Sequence, residues 1–177
     1  PVVGVVPAIK VAANSAPGGH IGLLATPATI NRTYTDDLIA EFASGCTVHR
    51  FGSSELVLLA EEFMLGYDIN SALIEHVGKW IDSTPTMTHV VLGCTHFPLI
   101  SEHFKAIKPN WQWIDSGAAI AERVNHLLSE SDLIENSAKT VTANTNHQLW
   151  LTQASSQQAT LDSYMASYLI NDKLNNT

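Results

Sequence analysis

Short apolar runs alternate with stretches of helical period along most of this chain, and that alternation restricts the fold more than any other feature. Strand-like runs fall at residues 2–6, 21–25, 47–51, 89–92 and 112–114, with a sixth candidate at 140–143. Between them, Tyr34, Leu38 and Phe42 recur four residues apart, with Asp36, Asp37 and Glu41 on the other faces. Leu56, Leu59, Ala60 and Phe63 make a second apolar stripe behind the cap candidates Ser53 and Ser54. A third helix near 71–80 runs through Ile74, Val77 and Ile81, and a fourth follows Pro98. A fifth follows the Asp115–Ser116 cap with Ile120, Val124 and Leu127. Strands joined through helices pair in parallel, because a parallel connection must cross over the sheet. The expected fold class is α/β, a parallel sheet flanked by helices.

A chain of 177 residues holds one full domain, or one domain and a piece of another. The formal charge of −8, with no cluster of Lys or Arg, offers no track for phosphates and argues against a nucleic-acid partner. No run reaches a membrane-spanning length, and no basic stretch precedes an apolar core as in a signal peptide. Cys46 and Cys94 lack paired spacing, which fits a reducing cytoplasm and offers no CxxC motif. Residues 136–146 are small and polar and read as a loop.

Several features read as ordinary structure. Pro17-Gly18-Gly19-His20 has no following GK[ST] and makes a turn rather than a phosphate loop. The eight histidines show no HExxH or related spacing, so no metal is expected. Packing explains Trp111 and Trp113, and residues 161–174, with Met165 and Leu169 at helical spacing, read as a docking helix.

One segment carries chemistry. In Val90-Val91-Leu92-Gly93-Cys94-Thr95-His96-Phe97-Pro98 a buried strand ends at a glycine, and a cysteine and a histidine follow before a proline suited to opening a helix. A thiol there stands at the carboxyl end of a strand, where ligands bind in layered α/β folds. The alternative is a free cysteine packed at a tight turn.

This run resembles the second cysteine motif of glutamate racemases. Residues 1–13 (PVVGVVPAIKVAA), 21–32 (IGLLATPATINR), 53–62 (SSELVLLAEE) and 114–123 (IDSGAAIAER) resemble the same family in the same order. The likeness is good to about residue 128 and weak afterwards. It implies racemisation of L- and D-glutamate without a cofactor, pyridoxal phosphate included, by two cysteines on opposite faces of the substrate. It also implies a role in supplying D-glutamate for peptidoglycan. In those terms Cys94 removes or returns the Cα proton; a free thiol titrates near about 8.5, so both protonation forms are accessible. His96 tunes or relays the thiol proton, or else is a helix-start histidine bonded to backbone. Glu61 assists the histidine, or is a solvated helix carboxylate. Thr26 and Thr29, in a loop where alanine stands for the family's usual glycine, and Thr95 hold substrate carboxylate, and as threonines they also suit helix caps.

The family's first cysteine, with its Asn-Thr pair, and an upstream Asp-Ser pair have no counterpart here; Cys46 stands elsewhere. The chain is therefore expected to be the C-terminal part of such a protein, inactive alone. Residues 1–115 would form the second α/β domain and 116–177 the returning portion of the first. Such a portion would be poorly stable, docked, or swapped between chains, for instance in a homodimer. The competing readings are a racemase acting on another acid, a non-catalytic fragment or binding module of the same fold, and a cysteine hydrolase.

Overall fold

The computed structural model describes residues 2–130, 157, 159–163 and 166. Within them, one parallel sheet holds β1 (His20–Ala25), β2 (Thr47–Gly52), β3 (Met87–Leu92) and β4 (Gln112–Ile114), in the order β2-β1-β3-β4. The four runs expected between residues 21 and 114 are therefore strands. The valine-rich run at 2–6 is not: residues 2–7 have no regular structure, and Val2, Val5 and Val6 are exposed. Strand propensity needs a pleated, half-buried surface to act on, and no ladder receives these valines. The candidate strand at 140–143 and the loop at 136–146 lie outside the described residues.

The sheet is covered on both faces. Along β1, Ile21, Leu23 and Ala25 face one side, where they meet Ile9 and Ala12 of α1 (Ile9–Ser15) and Leu38 of α3 (Thr33–Phe42). Leu24, Val90 and Leu92 face the other, against Leu56 of α4 (Glu55–Met64), Leu73, Val77 and Ile81 of α5 (Asn70–Asp82), and Phe104 of α6 (Ser101–Ile107). The short α2 (Pro27–Ile30) lies directly after β1. Two expected faces are rotated slightly. In α5 the buried stripe runs 73–77–81, an unbroken four-residue repeat, and Ile74 is exposed. In α3, Thr35 and Leu38 are buried while Tyr34 is exposed.

The α5 layer presses close to the sheet at Gly22. A Cβ there would stand 2.6 Å from Sδ of Met87 and 2.9 Å from Cη2 of Trp80. Trp80 is held over this gap by stacking on Phe51, with ring centroids 5.3 Å apart.

After β4 the chain passes Asp115 and Ser116 into α7 (Gly117–Glu130), which buries none of its residues. Ile120 and Leu127 are half-buried, and Val124, expected to face inward, is exposed. Of the docking helix expected at 161–174, residues 161–163 and Ala166 are helical, and the remainder lies outside the described residues. Among the described residues, no helix is long and apolar enough to cross a membrane.

The strand order positions the site. From β1 the chain steps to β2 on one side, then returns across β1 to β3 on the other. Connections diverge at the β1–β3 boundary, so a crevice opens beyond their carboxyl ends, the usual ligand position in such sheets.

Candidate active site

Both strands end in residues that keep this crevice narrow. Gly93 donates its backbone N–H to the carbonyl of Leu24 at 2.7 Å. A Cβ on it would stand 3.1 Å from Cβ of Ala25 and 3.1 Å from Cδ1 of Leu23. Glycine lets β3 finish this close to β1 without pushing on its neighbours, and Cys94 follows at once.

Cys94 and Thr95 turn into a single 3-10 turn, Phe97–Ile100, before α6 begins at Ser101. The helix expected after Pro98 thus starts as a tighter turn. Phe97 anchors it: its ring is fully buried, and its N–H donates to the Cys94 carbonyl at 3.1 Å. This geometry returns the His96 ring to the thiol, with Nδ1 3.8 Å from Sγ of Cys94. The other ring nitrogen, Nε2, lies 3.3 Å from Oε1 of Glu61 on α4. A ring that donates Nε2–H to Glu61 keeps Nδ1 as an acceptor for the thiol proton. His96 and Glu61 are partly solvated, at 35% and 57% side-chain exposure, so the pair orients the ring more than it stabilises the fold.

The loop after β1 is tied together by threonines. Thr26 caps α2, accepting the Thr29 N–H at 3.4 Å, and the two hydroxyls lie 3.1 Å apart. The fully buried Thr35 donates its hydroxyl to the Thr29 carbonyl at 2.6 Å.

A cavity of about 620 Å³ opens in front of this group. Of the expected site residues, Cys94, Thr29 and Thr95 line it. Glu61 and His96 line a second hollow of about 520 Å³, which Thr95 also borders, with Leu161 on its rim. Thr26 lines neither, its hydroxyl being used in the cap. The first cavity is completed by residues that sequence reasoning did not single out for the site, among them Arg32, Tyr34, Asp115 and Ser116. Asp115 and Ser116 were readable as a helix cap, and Asp115 does accept the Gly117 N–H at 2.7 Å. Nothing local marks Arg32.

Known proteins resemble the chain as a whole. The glutamate racemase of Shewanella pealeana is 48% identical over 147 residues, covering 81% of this chain and 54% of that protein. That of Pasteurella multocida is 49% identical over 135 residues, covering 75% and 50%. This chain is a homologue of the glutamate racemases. It spans about half the length of the curated relatives it matches. The glutamate racemase of Escherichia coli, solved with L-glutamate and the activator UDP-MurNAc-Ala, superposes with a TM-score of 0.77 at 37% identity. The superposition covers 95% of this chain and 62% of that one. The glutamate racemase of Francisella tularensis, solved with D-glutamate, shares the fold, with a TM-score of 0.63 at 22% identity, covering 89% and 59%. No family model matches the chain.

Proposed function

We propose that this chain is part of a cofactor-independent glutamate racemase and carries one of its two proton-transfer faces. The observation that supports this most is the alignment of Cys94, His96 and Glu61 at the carboxyl end of β3, in a homologue of glutamate racemases.

In this reading the Cys94 thiolate takes the Cα proton of one glutamate enantiomer. The electron pair left behind passes into the α-carboxylate, giving an enediolate, and a thiol on the opposite face returns a proton to Cα. In the reverse direction Cys94 is the donor. His96, oriented by Glu61, shares the thiol proton between turnovers, and the hydroxyls of Thr29 and Thr95 face the substrate carboxylate. Thr26 acts one step removed, by holding Thr29. The opposite-face thiol comes from outside this chain, because Cys46 lies at the amino end of β2 and gives its S–H to the carbonyl of Ala16 at 3.5 Å.

The same reading divides the chain into a domain of residues 1–115 and a portion, 116–177, that returns to another domain. The absence of buried residues in α7 favours it. It places the parent protein in the cytoplasm, supplying D-glutamate for peptidoglycan, with a homodimer as one assembly that would cover the returning portion. The test is Cα deuterium uptake and racemisation of glutamate in D₂O. This chain alone is expected to be silent, and the parent protein active in a way that Cys94→Ala abolishes. A parent protein indifferent to Cys94→Ala overturns the reading.

A further inference from the structure

His20 opens β1 and His49 stands inside β2, 29 residues apart in the chain. No sequence motif joins them, but the parallel register does. His20 pairs with Thr47 and Gly22 with His49, so the two histidines are diagonal neighbours. Side chains two residues apart on a strand share a face. His20 therefore stands on the side of Gly22, and His49 on the side of Phe51, both facing the α5 layer. The residue opposite His49 is a glycine, which leaves room for its ring to lean across to His20. Nδ1 of His20 and Nε2 of His49 come to 2.9 Å, with the ring planes 16° apart. Both residues are half-buried, one at a strand start and the other on an edge strand, so solvent reaches them.

Two imidazole nitrogens this close repel unless a positive centre lies between their lone pairs. One ring N–H supplies it when the other nitrogen accepts. A transition-metal ion supplies it too, since imidazole is a preferred ligand of copper, nickel and zinc. Bonds of about 2.0–2.1 Å from one ion to two imidazoles at a right angle place the nitrogens about 2.9 Å apart. That is the observed separation, and the right angle belongs to the tetragonal geometry that Cu²⁺ and Ni²⁺ favour. With centroids 5.2 Å apart the rings now meet end to end, so each must turn about its Cβ–Cγ bond to aim at the ion. Among the described residues neither ring has another hydrogen-bond or ion-pair partner to lose by turning.

We propose that His20 and His49 form a two-histidine site for a divalent transition-metal ion, Cu²⁺ above Ni²⁺ or Zn²⁺, which clips the edge strand β2 to β1. Among the described residues no group of three or more histidine, cysteine or acidic side chains could hold a metal, so water completes the shell and the ion is exchangeable. The site does not depend on the racemase reading. It lies toward the amino ends of β1 and β2, whereas Cys94 follows the carboxyl end of β3.

The test titrates Cu²⁺ into the untagged parent protein and follows binding by electron paramagnetic resonance. It compares wild type with His20→Gln, His49→Gln and, as a control on the exposed side of α7, His126→Gln. Wild type should show the nitrogen couplings of two imidazoles on one copper ion. Either site variant should reduce these to one and weaken binding at least about tenfold, since losing a ligand costs no less than losing a residue that supports one. His126→Gln should match wild type, and Mg²⁺, which takes oxygen ligands, should not compete. Ni²⁺ should raise the melting temperature of wild type but not of the two site variants, because an ion held only by the folded strands stabilises them. It should leave the alkylation rate of Cys94 unchanged. Melting without metal checks the fold of each variant, and protection of His20 and His49 from diethyl pyrocarbonate by Cu²⁺ gives the same reading with no substitution. Copper binding that survives both site substitutions, or falls equally in His126→Gln, overturns the proposal. So does Ni²⁺ that slows Cys94 alkylation without raising the melting temperature, which would put the ion at the thiol.

Discussion

The backbone N–H of Gly93 and the carbonyl of Leu24 meet at 2.7 Å, at the point where the two central strands end and Cys94 begins. In Gly93→Ala, the added methyl would crowd Ala25, Leu23 and the Leu24 carbonyl, all within 3.3 Å. All three belong to fully buried strand residues with little room to yield. The variant should lose about 1–3 kcal/mol of stability by chemical denaturation. It should also change the rate of Cys94 alkylation, because the thiol rides on the displaced residue. An unaltered midpoint together with an unaltered rate would refute the close-approach argument.

Gly22→Ala should be destabilising by a similar amount for a different reason, the collision with Met87 and Trp80. Trp80→Leu should recover part of that loss when combined with it, although Trp80→Leu alone is expected to destabilise. A double-mutant cycle in denaturant measures the coupling. Strict additivity would mean that the helix layer retreats instead.

Thr35→Val keeps the shape of a fully buried side chain and removes the 2.6 Å hydrogen bond to Thr29. Losing this bond should cost on the order of 1 kcal/mol, because the Thr29 carbonyl keeps the Arg32 N–H at 3.3 Å. In the parent protein the loosened loop should also raise KM for glutamate, since Thr29 depends on it. Thermal denaturation and initial rates check the two parts separately.

Glu61→Gln should leave the fold nearly as stable as before, because the His96–Glu61 pair is half-solvated. In the parent protein it should slow Cα exchange on the Cys94 face by on the order of a hundredfold. Exchange started from the enantiomer whose proton the other face removes should suffer less at the abstraction step. Equal slowing of both directions at that step would count against an orienting role for Glu61.

Much of this architecture is legible in the sequence because local pattern and tertiary environment agree. The runs that became β1 and β3 are largely apolar, and they lie where two layers of helix cover them. The stripe of α4 is similarly unambiguous. Pattern misleads where the environment decides. Val2, Val5 and Val6 look like a strand but find no ladder, and in α5 adjacent apolar residues at 73 and 74 leave the register open until the sheet selects Leu73. Cys94 and His96 stand out because a cysteine and a histidine at a strand end are chemically rare, whereas Glu61, inside α4, is marked only by the family resemblance. Their division between two hollows is a property of three-dimensional packing. Arg32 is one loop arginine among the exposed charges of the chain, and only the folding of residues 26–35 against the end of β3 brings it to the same cavity as Cys94.

The strand order has a kinetic consequence. β1 can pair with β2 through one helical hairpin, but its other neighbour arrives only after α4 and α5 have been laid down. Closing that long excursion is the slow, entropically costly event in assembling such a sheet. The threonine loop and the cysteine sit on opposite sides of it, so they meet only at its completion. During synthesis the thiol therefore emerges well after the threonine loop that faces it, and the two meet only when β3 docks beside β1.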